Sequence, residues 1–350
     1  MQPGRSRWLV TRLLSVAVAS VVAWSGPAHC VLGASVSDGP AFYPGFRADE
    51  AGASFRFETE SIEGALQVEG VYHGVTRLID KRSGRQVIDT RYSALNLFKL
   101  MSVNQVMDLP RAMQRTATSQ AGAVEIQWPP SEGHHAGLTA RYELRPPNAI
   151  DLTVTVKSRG TYAGYELFLS SYFDKALRPH VMVQAPRNQP AEWVLPTVND
   201  VFRGTVLVFP RDALAARFCL DGRWSRSERK TPTVQMCPVR HYAHCLAVQE
   251  DPHSGLAAVL MSYPEECYAI STRYHAAEDA DRLTSYSAFD LSLFGVDLVP
   301  RAECRARVRL ALLRLDGDWG RALDAYREFL VARQTESSSA GCTPTIGVPP

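Results

Sequence analysis

The segment Ala149–Lys157 constrains the fold of this chain more than any other. Its apolar side chains alternate with polar ones in the order Ala149, Ile150, Asp151, Leu152, Thr153, Val154, Thr155, Val156, Lys157. A period of two, rich in β-branched residues, predicts a strand with one buried and one solvated face. The preceding Arg145–Asn148 reads RPPN, which cannot continue a hydrogen-bonded ladder and predicts a turn. With a further strand at Tyr165–Phe173, the stretch Leu138–Asp174 predicts one large antiparallel sheet.

Other parts of the chain repeat the strand pattern. Tyr72–Asp89 contains two strands joined at Lys81–Gly84, where a glycine suits a hairpin turn. In Arg305–Leu315, arginines alternate with apolar residues, which predicts a long strand with a basic outer face. Only Asp318–Gln334 has apolar residues at helical spacing, with Asp318 as its N-cap. The fold class is therefore predicted to be all-β, with large antiparallel sheets and one C-terminal α-helix.

The two ends of the chain have compositions typical of processed or flexible segments. Residues 1–30 combine three arginines with the apolar run Leu13–Trp24 and small residues near Ala28, which predicts a cleaved signal peptide. That run is short for a membrane span, so no stable span is expected after cleavage. Residues 31–53 predict a disordered leader, 54–334 the folded domain with its helix, and 335–350 a flexible tail. The protein is expected to be secreted or periplasmic.

The charge balance depends on that signal peptide. The chain has 38 lysines and arginines, and removing the three arginines of residues 1–30 leaves 35 against 36 acidic residues. The mature protein is then close to neutral. This removes most of the compositional argument for binding nucleic acid or an anionic membrane surface.

Cys30 lies in the predicted signal peptide, and the six cysteines of the predicted mature chain all fall in its C-terminal half. They are Cys219, Cys237, Cys245, Cys267, Cys304 and Cys342. An even number in an exported protein favours disulfides, and the sequence cannot choose among the connectivities. Cys245 is a candidate neighbour of Cys237 or of Cys267 on adjacent strands, and buried free thiols are the alternative. Because no C-x-x-C pair exists, a zinc site is not expected.

Two separated segments resemble one superfamily. YHGVTRLIDKRSGRQVID (Tyr72–Asp89) resembles the opening hairpin of the galactose-mutarotase-like supersandwich proteins, and YELRPPNAIDLTVTV (Tyr142–Val156) resembles their central strand pair. The resemblance covers roughly Phe55–Phe329 and implies a large antiparallel β-supersandwich whose concave face meets sugars. The superfamily includes aldose epimerases, polysaccharide lyases and non-catalytic domains of glycosidases, so the fold alone does not select a reaction. The histidine and late glutamate of the mutarotase-type site have no recognisable counterpart in this sequence.

A sugar site needs flat aromatic faces and a few charged groups that bind hydroxyls. Two stretches combine these residue types. The first is a turn containing Asp221, Arg223 and Trp224; the second contains Arg240, Tyr242 and His244 on one face of a predicted strand. Trp193 is a further aromatic candidate. The alternative is that Trp224 covers the core and that the histidines are ordinary sheet residues.

Candidates for acid–base catalysis are weaker, because no spacing singles them out. His241, Glu192 and His180 are the residues considered for that role, and Tyr172, His180 or Arg240 would serve in a lyase. His241 and His244 would point to opposite faces of a strand, so they do not predict a metal site. The serines form no G-x-S-x-G elbow and the glycines form no phosphate loop, so no cofactor is predicted.

Three hypotheses follow for function. The first is an exported, non-catalytic protein that recognises a poly- or oligosaccharide on a concave sheet face. The second is an enzyme that uses the same cleft, of the polysaccharide lyase or aldose epimerase type. The third is a structural envelope protein without a sugar site. The basic face of Arg305–Leu315 is either a grip for an acidic glycan or a solvated surface with cross-strand acidic partners.

Overall fold

A computed structural model describes residues 45–120, 122–186, 189–198, 205–226, 236–275 and 286–339. The predicted signal peptide, most of the leader, Cys342 and the end of the tail lie outside these residues. Within them the chain forms twenty β-strands and two α-helices. The helices are α1 (Ala213–Leu220) and α2 (Gly320–Ser339), and a single 3₁₀ turn spans Arg223–Arg226.

The strands are numbered in chain order. They are β1 (Arg47–Ala48), β2 (Ser54–Glu58), β3 (Ile62–Gln67), β4 (Gly74–Asp80), β5 (Arg85–Gln86), β6 (Asn96–Met101), β7 (Thr116–Gln120), β8 (Ala123–Trp128), β9 (Ala136–Arg145), β10 (Ala149–Ser158), β11 (Tyr162–Phe173), β12 (Arg178–Val183), β13 (Glu192–Val194), β14 (Val206–Pro210), β15 (Met236–Pro238), β16 (Tyr242–Glu250), β17 (Leu256–Ser262), β18 (Cys267–Arg273), β19 (Ser287–Leu298) and β20 (Glu303–Arg314).

The largest sheet has nine strands in the order β13-β12-β16-β17-β20-β10-β9-β8-β7. At its centre β9 and β10 form the predicted hairpin, which turns at residues 146–148. The apolar residues of β10, such as Leu152 and Val154, are fully buried, whereas the alternating polar residues stay partly exposed. Each such buried side chain contributes roughly 1.5–3 kcal/mol, so this alternation fixes which face of the sheet meets the core.

A second sheet has six strands in the order β15-β14-β18-β19-β11-β6. The expectation of one sheet containing both β10 and β11 is therefore wrong. One face of β10 is solvated, so only its apolar face packs against another layer. β11 lies in that layer, and its residues Leu167, Leu169 and Phe173 belong to the same hydrophobic core as Leu152. The chain crosses from one layer to the other after β10, as in a sandwich.

The third sheet, β1-β2-β3-β4-β5, contains the hairpin predicted for Tyr72–Asp89. Gly84 lies in its turn with a φ of 69°, a backbone conformation that favours glycine. Strand β1 falls within the segment predicted as a disordered leader and pairs with β2. All three sheets are antiparallel except for the β14–β15 pair, so the predicted all-β class is confirmed.

The two helices differ slightly from the sequence expectation. α2 begins two residues after the predicted Asp318, whose Oδ1 accepts a hydrogen bond from the Gly320 amide at 3.0 Å, and it continues to Ser339. The additional short helix α1 begins after Asp212, whose Oδ1 accepts a hydrogen bond from the Ala215 amide at 2.8 Å. None of the helices in the described ranges is both long enough and apolar enough to cross a membrane.

Asp212 provides a test of this local structure. The Ala215 amide and the Arg211 guanidinium hold the pKa of the Asp212 carboxyl below its usual value. We expect Asp212→Ala to lower the free energy of unfolding by about 1 kcal/mol, measured by urea denaturation. Because the folded-state pKa is lowered, this contribution is present at neutral pH and disappears as the pH falls below about 4. Asp212→Asn keeps a capping oxygen, so it is expected to lower the free energy of unfolding much less. Equal losses of stability in the two variants would contradict the capping role.

The five described cysteines are free thiols, so no disulfide forms among them. Cys245 has Cys267 as its neighbour: both are buried, and their side chains are hydrogen-bonded to each other. They do not lie on adjacent strands of one sheet, because Cys245 belongs to β16 of the nine-stranded sheet and Cys267 to β18 of the six-stranded sheet. Cys237 lies on β15 of the six-stranded sheet. The alternative of buried free thiols therefore describes Cys245 and Cys267.

Candidate functional site

The outer face of the six-stranded sheet carries polar residues in register across its strands. On β11, Glu166, Phe168, Ser170 and Tyr172 point away from the core, opposite the apolar residues that enter it. In the cross-strand pairing, Ser170 and Ser271 flank Asp290 of β19. In the next row, Ala288 lies between Tyr172 and Arg273. The sheet therefore gathers an acid, an arginine, two serines and a tyrosine on one surface.

Four tyrosines form an aromatic cluster over this surface. Tyr172 lies 4.7 Å from Tyr92, 5.3 Å from Tyr286 and 6.3 Å from Tyr72, measured between ring centroids. Tyr72, Tyr92 and Tyr172 are only half-buried, whereas Tyr286 is buried. Burial raises the pKa of Tyr172 to about 12, so its hydroxyl keeps its proton at neutral pH. The cluster thus offers ring faces and neutral hydroxyl groups.

Two arginines complete the cluster. The Arg111 guanidinium lies 4.5 Å from the Tyr72 ring centroid and 4.2 Å from that of Phe98. Its Nε donates to Asn96 Oδ1 at 2.7 Å, and its Nη2 lies 3.4 Å from the Tyr172 hydroxyl. Arg273 Nη1 donates to the Tyr286 hydroxyl at 3.1 Å. We call this surface the tyrosine–arginine face, defined by Tyr72, Tyr92, Arg111, Tyr172, Arg273, Tyr286 and Asp290.

Asp290 is the buried acid of the tyrosine–arginine face. Its exposed fraction is 7%, and burial raises the pKa of its carboxyl to about 7, although the positive charges of Arg273 and Arg111 oppose the shift. A carboxyl group with a pKa near neutrality exchanges protons readily at physiological pH. Beside it, the Ser271 hydroxyl is buried without a hydrogen-bond partner, and a buried polar group in that state is unfavourable.

The predicted residues Asp221, Arg223 and Trp224 lie on the same outer face, next to the tyrosine–arginine face. Trp224 packs edge-on against Phe168 at 4.6 Å and lies under the Lys99 ammonium at 4.5 Å from its ring centroid. The Arg223 side chain is fully buried and forms ion pairs with Glu166 at 3.1 Å and Asp221 at 2.7 Å. Trp224 is thus the member of this stretch that presents a partly exposed ring.

Four of the other predicted residues, Trp193, Glu192, Arg240 and His180, lie near an edge of the nine-stranded sheet. Between ring centroids, Trp193 lies 5.0 Å from Trp319, and His180 of β12 lies 4.6 Å from the same Trp319 ring. Glu192 accepts a hydrogen bond from Arg240 at 2.5 Å; the Glu192 side chain is exposed and that of Arg240 is half-buried. We call these residues the edge cluster. Burial lowers the pKa of His180 to about 4, so it is neutral at physiological pH.

The strand β16 does not present its polar residues as the sequence suggests. Tyr242 is buried in the core and donates to the Cys267 carbonyl at 2.7 Å, whereas His244 is half-buried beside Tyr326 of α2. A register shift between β12 and β16 breaks the alternation, so Tyr242 and Cys245, three residues apart, both enter the core. His241 is half-buried just before the strand begins. The structure therefore does not bring the predicted residues together in one place.

The outer face of the nine-stranded sheet contains a polar groove of about 340 Å³. We call it the arginine groove, after Arg141, Arg145, Arg305, Arg307 and Arg309, which line it with Glu125, Glu143 and Asp151. Arg309 donates two hydrogen bonds to Asp151, at 2.6 and 2.8 Å, and Arg307 pairs with Glu266. At Arg309 the basic face of β20 thus has the cross-strand acidic partner expected of a solvated surface, whereas Glu266, the partner of Arg307, is a buried residue just before β18.

Comparisons with known proteins concern the fold. Neither a protein-family model nor a curated protein matches the sequence. A putative aldose 1-epimerase from Escherichia coli K12 is similar with a TM-score of 0.46 at 10% identity, covering 74% of this chain and 98% of that one. A galactose 1-epimerase from Lactobacillus acidophilus has a TM-score of 0.41 at 9% identity, covering 74% and 94%. A heparan sulfate lyase from Pedobacter heparinus has a TM-score of 0.42 at 8% identity, covering 79% of this chain and 37% of that one.

These similarities bear on the architecture alone. The sheets confirm the predicted antiparallel β-sandwich, whereas the mutarotase-like superfamily suggested by Tyr72–Asp89 and Tyr142–Val156 stays a prediction. Substrate and activity do not follow from similarity at this level.

Sequence reasoning missed most of the tyrosine–arginine face. Tyr172 was considered for a lyase, but Arg111, Arg273, Tyr286 and Asp290 were not identified. For Asp290 a signal existed, because it is the only charged residue in the run Ala288–Leu293, which otherwise reads as a buried strand, and charged residues are almost never fully buried unless paired. Arg111 lies in a loop after β6 without any pattern that marks it.

Proposed function

We propose that this protein binds carbohydrate on the tyrosine–arginine face. The observation that carries the proposal is the arrangement of four tyrosines and two arginines around the buried Asp290 on one sheet face. Half-buried aromatic rings provide apolar faces against which sugar C–H groups pack, and the hydroxyl and charged groups between them suit sugar hydroxyls. A structural envelope protein would need no such cluster, so this observation favours a binding protein over that alternative.

The proposal is tested by substituting aromatic residues in two places. We expect Tyr172→Ala and Tyr92→Ala each to weaken binding of an oligosaccharide selected from a glycan array by at least about tenfold, because central aromatic residues dominate interfaces of this kind. Trp193→Ala in the edge cluster is the matched control and should leave affinity unchanged. Isothermal titration calorimetry measures all three variants, and circular dichroism checks that each is folded.

Two results would contradict this placement. Loss of binding in Trp193→Ala with normal binding in Tyr172→Ala would move the site to the edge cluster. If the wild-type protein binds no glycan on an array of neutral and acidic structures, carbohydrate recognition itself is refuted.

A catalytic role on the same face is the second candidate function. It is favoured by the pKa of Asp290 near 7 beside Tyr172, whose hydroxyl lies within reach of Arg111. A carboxyl that exchanges its proton at neutral pH and a neutral tyrosine hydroxyl are suitable partners for general acid–base catalysis of epimerisation or elimination. Polarimetry of aldoses and mass spectrometry of incubated oligosaccharides detect these two reactions, and Asp290→Asn should abolish either one while the protein remains folded.

Export is proposed on the basis of residues 1–30 alone. The arginine-rich start and apolar run predict cleavage and a secreted or periplasmic protein. Mass spectrometry of the intact protein recovered from its native cells tests this. A mature mass that lacks about thirty N-terminal residues supports export, and a full-length mass in the cytosolic fraction contradicts it.

A further inference from the structure

We infer that the ligand of the tyrosine–arginine face is an acidic sugar, whose carboxylate binds between Arg111 and Arg273. This inference rests on the proposed function and names the chemical class of the ligand. It follows from the charges of the face, the hydrogen-bond partners of the two arginines and the position of Asp290.

Arg111 is held in place without an ion pair among the described residues. Its guanidinium stacks on Phe98 and Tyr72, at 4.2 and 4.5 Å from their ring centroids, and its Nε donates to the amide oxygen of Asn96. Neutral groups therefore fix the guanidinium plane, and among the described residues the Asp290 carboxyl acts on it only through its electrostatic field, without an ion pair. A stacked arginine of this kind presents its remaining N–H groups as a rigid fork, which matches the planar geometry of a carboxylate.

Arg273 of β18 also has no ion pair among the described residues. Its Nη1 donates to the Tyr286 hydroxyl at 3.1 Å, and its Nε is buried without a hydrogen-bond partner. Within the described part of the chain it forms no ion pair. A buried guanidinium N–H without a partner is unfavourable, so an anionic ligand would gain by satisfying it.

Asp290 does not neutralise both arginines. Burial favours the uncharged form of its carboxyl, so the face carries two positive charges and at most one negative charge. The neighbouring charged residues balance one another, because Arg223 and Lys99 lie beside Glu166 and Asp221. The excess positive charge is thus localised at Arg111 and Arg273.

The aromatic rings select a sugar among anionic ligands. A free phosphate or sulfate would use only the arginines, whereas a uronic acid ring would also pack on Tyr92 and Tyr172 and bring its hydroxyl groups to Ser271 and Asp290. The buried Ser271 hydroxyl has no partner and is available for such a contact. An acidic oligosaccharide therefore accounts for more of the face than either a neutral sugar or a small anion.

The test compares acidic oligosaccharides with their carboxyl-reduced forms, which keep the same ring configuration without the charge. Pairs prepared from galacturonan, alginate and hyaluronan are titrated against the full chain by calorimetry. We expect at least one acidic member to bind at least tenfold more tightly than its reduced partner. Arg273→Met and Arg111→Met should each lower that affinity at least tenfold, and Arg273→Lys, which keeps the charge but not the fork, should recover only part of it.

Arg305→Met is the matched control, since Arg305 is an exposed arginine of the opposite sheet without an ion-pair partner in the described residues, and it should not change affinity. If a reduced form binds as tightly as its acidic partner, the acidic-sugar inference is wrong and the proposed function stands. If no oligosaccharide of either kind binds, both fail. If Arg305→Met lowers the affinity as much as Arg273→Met and Arg111→Met do, the effect comes from overall charge, and the inference is overturned.

Discussion

Replacing Arg223 with methionine is expected to lower the free energy of unfolding by about 3–5 kcal/mol. Arg223 has a fully buried side chain, and its guanidinium bridges Glu166 at 3.1 Å, Asp221 at 2.7 Å and the Gly164 carbonyl at 2.7 Å. Methionine has a similar volume but supplies no charge, so Glu166 would remain buried without its cation. Urea denaturation monitored by circular dichroism measures the loss.

Arg240→Met is the matched control for this variant. Arg240 also pairs with a glutamate, Glu192, at 2.5 Å, but the two side chains are 34% and 55% exposed. An exposed pair contributes about 0–1 kcal/mol, so the control should change stability little. A loss in Arg223→Met no larger than in the control would show that burial of Glu166 does not depend on Arg223.

The loss in Arg223→Met should also depend on pH. Burial raises the pKa of Glu166, and Arg223 opposes that shift. Without Arg223 the folded-state pKa rises further, so folding takes up a proton. The carboxyl group then destabilises the fold least at low pH, and stability is lost as the pH rises through the raised pKa. The cost of the substitution should therefore be larger at pH 8 than at pH 5, and Glu166→Gln in the same chain should recover part of it.

Much of the fold follows from the sequence because strands such as β3, β9 and β10 alternate between buried and partly exposed residues. The pattern of Ala149–Lys157 predicted β10, and the turn at residues 146–148 predicted its partner β9. The assignment of β10 and β11 to one sheet failed for a physical reason. Alternation reports which side chains are buried, but both layers of a sandwich bury one face against the same core, so the pattern does not distinguish neighbours within a sheet from neighbours across it.

The candidate site was less predictable, because its members come from different parts of the chain. Tyr72, Arg111, Tyr172 and Asp290 meet only through the pairing of β6, β11 and β19 and the loop that follows β6. Sequence patterns indicate a sugar site most readily where the residues are neighbours in the chain, such as Asp221, Arg223 and Trp224. Of these, Arg223 is buried in ion pairs and Trp224 alone presents a ring beside the tyrosine–arginine face. Spacing along the chain therefore predicts Trp224 beside the tyrosine–arginine face but not the residues at the centre of that face, such as Arg111 and Asp290.

Replacing Asp290 with asparagine is expected to stabilise the protein at pH 8 by up to about 4 kcal/mol. The folded-state pKa of Asp290 is about 7, against an ordinary value of 3.8, and each unit of difference corresponds to about 1.4 kcal/mol. Because the folded-state pKa is raised, the neutral carboxyl stabilises the fold fully below about pH 4. This contribution is lost as the pH rises through 7 and does not change further above it. Asparagine is neutral at every pH, so the variant does not lose this stability as the pH rises.

The measurement is the difference in unfolding free energy between wild type and Asp290→Asn at pH 4 and pH 8. Other buried acids, such as Glu166 and Glu266, titrate in both proteins and cancel in the difference. Asp151→Asn is the control: Asp151 forms ion pairs with Arg309 and Arg145, so its replacement should lose stability at pH 8. If wild type and Asp290→Asn lose stability in parallel from pH 4 to pH 8, burial of the Asp290 carboxyl does not raise its pKa.

The same variant separates a structural role for Asp290 from a functional one. A buried acid kept at a cost in stability is typical of a site selected for binding or catalysis. We expect Asp290→Asn to gain stability and to change either the affinity for acidic oligosaccharides or the turnover. A gain in stability with unchanged binding and no activity to lose would place Asp290 outside the site, and the proposed site would then have to rest on the arginines and tyrosines alone.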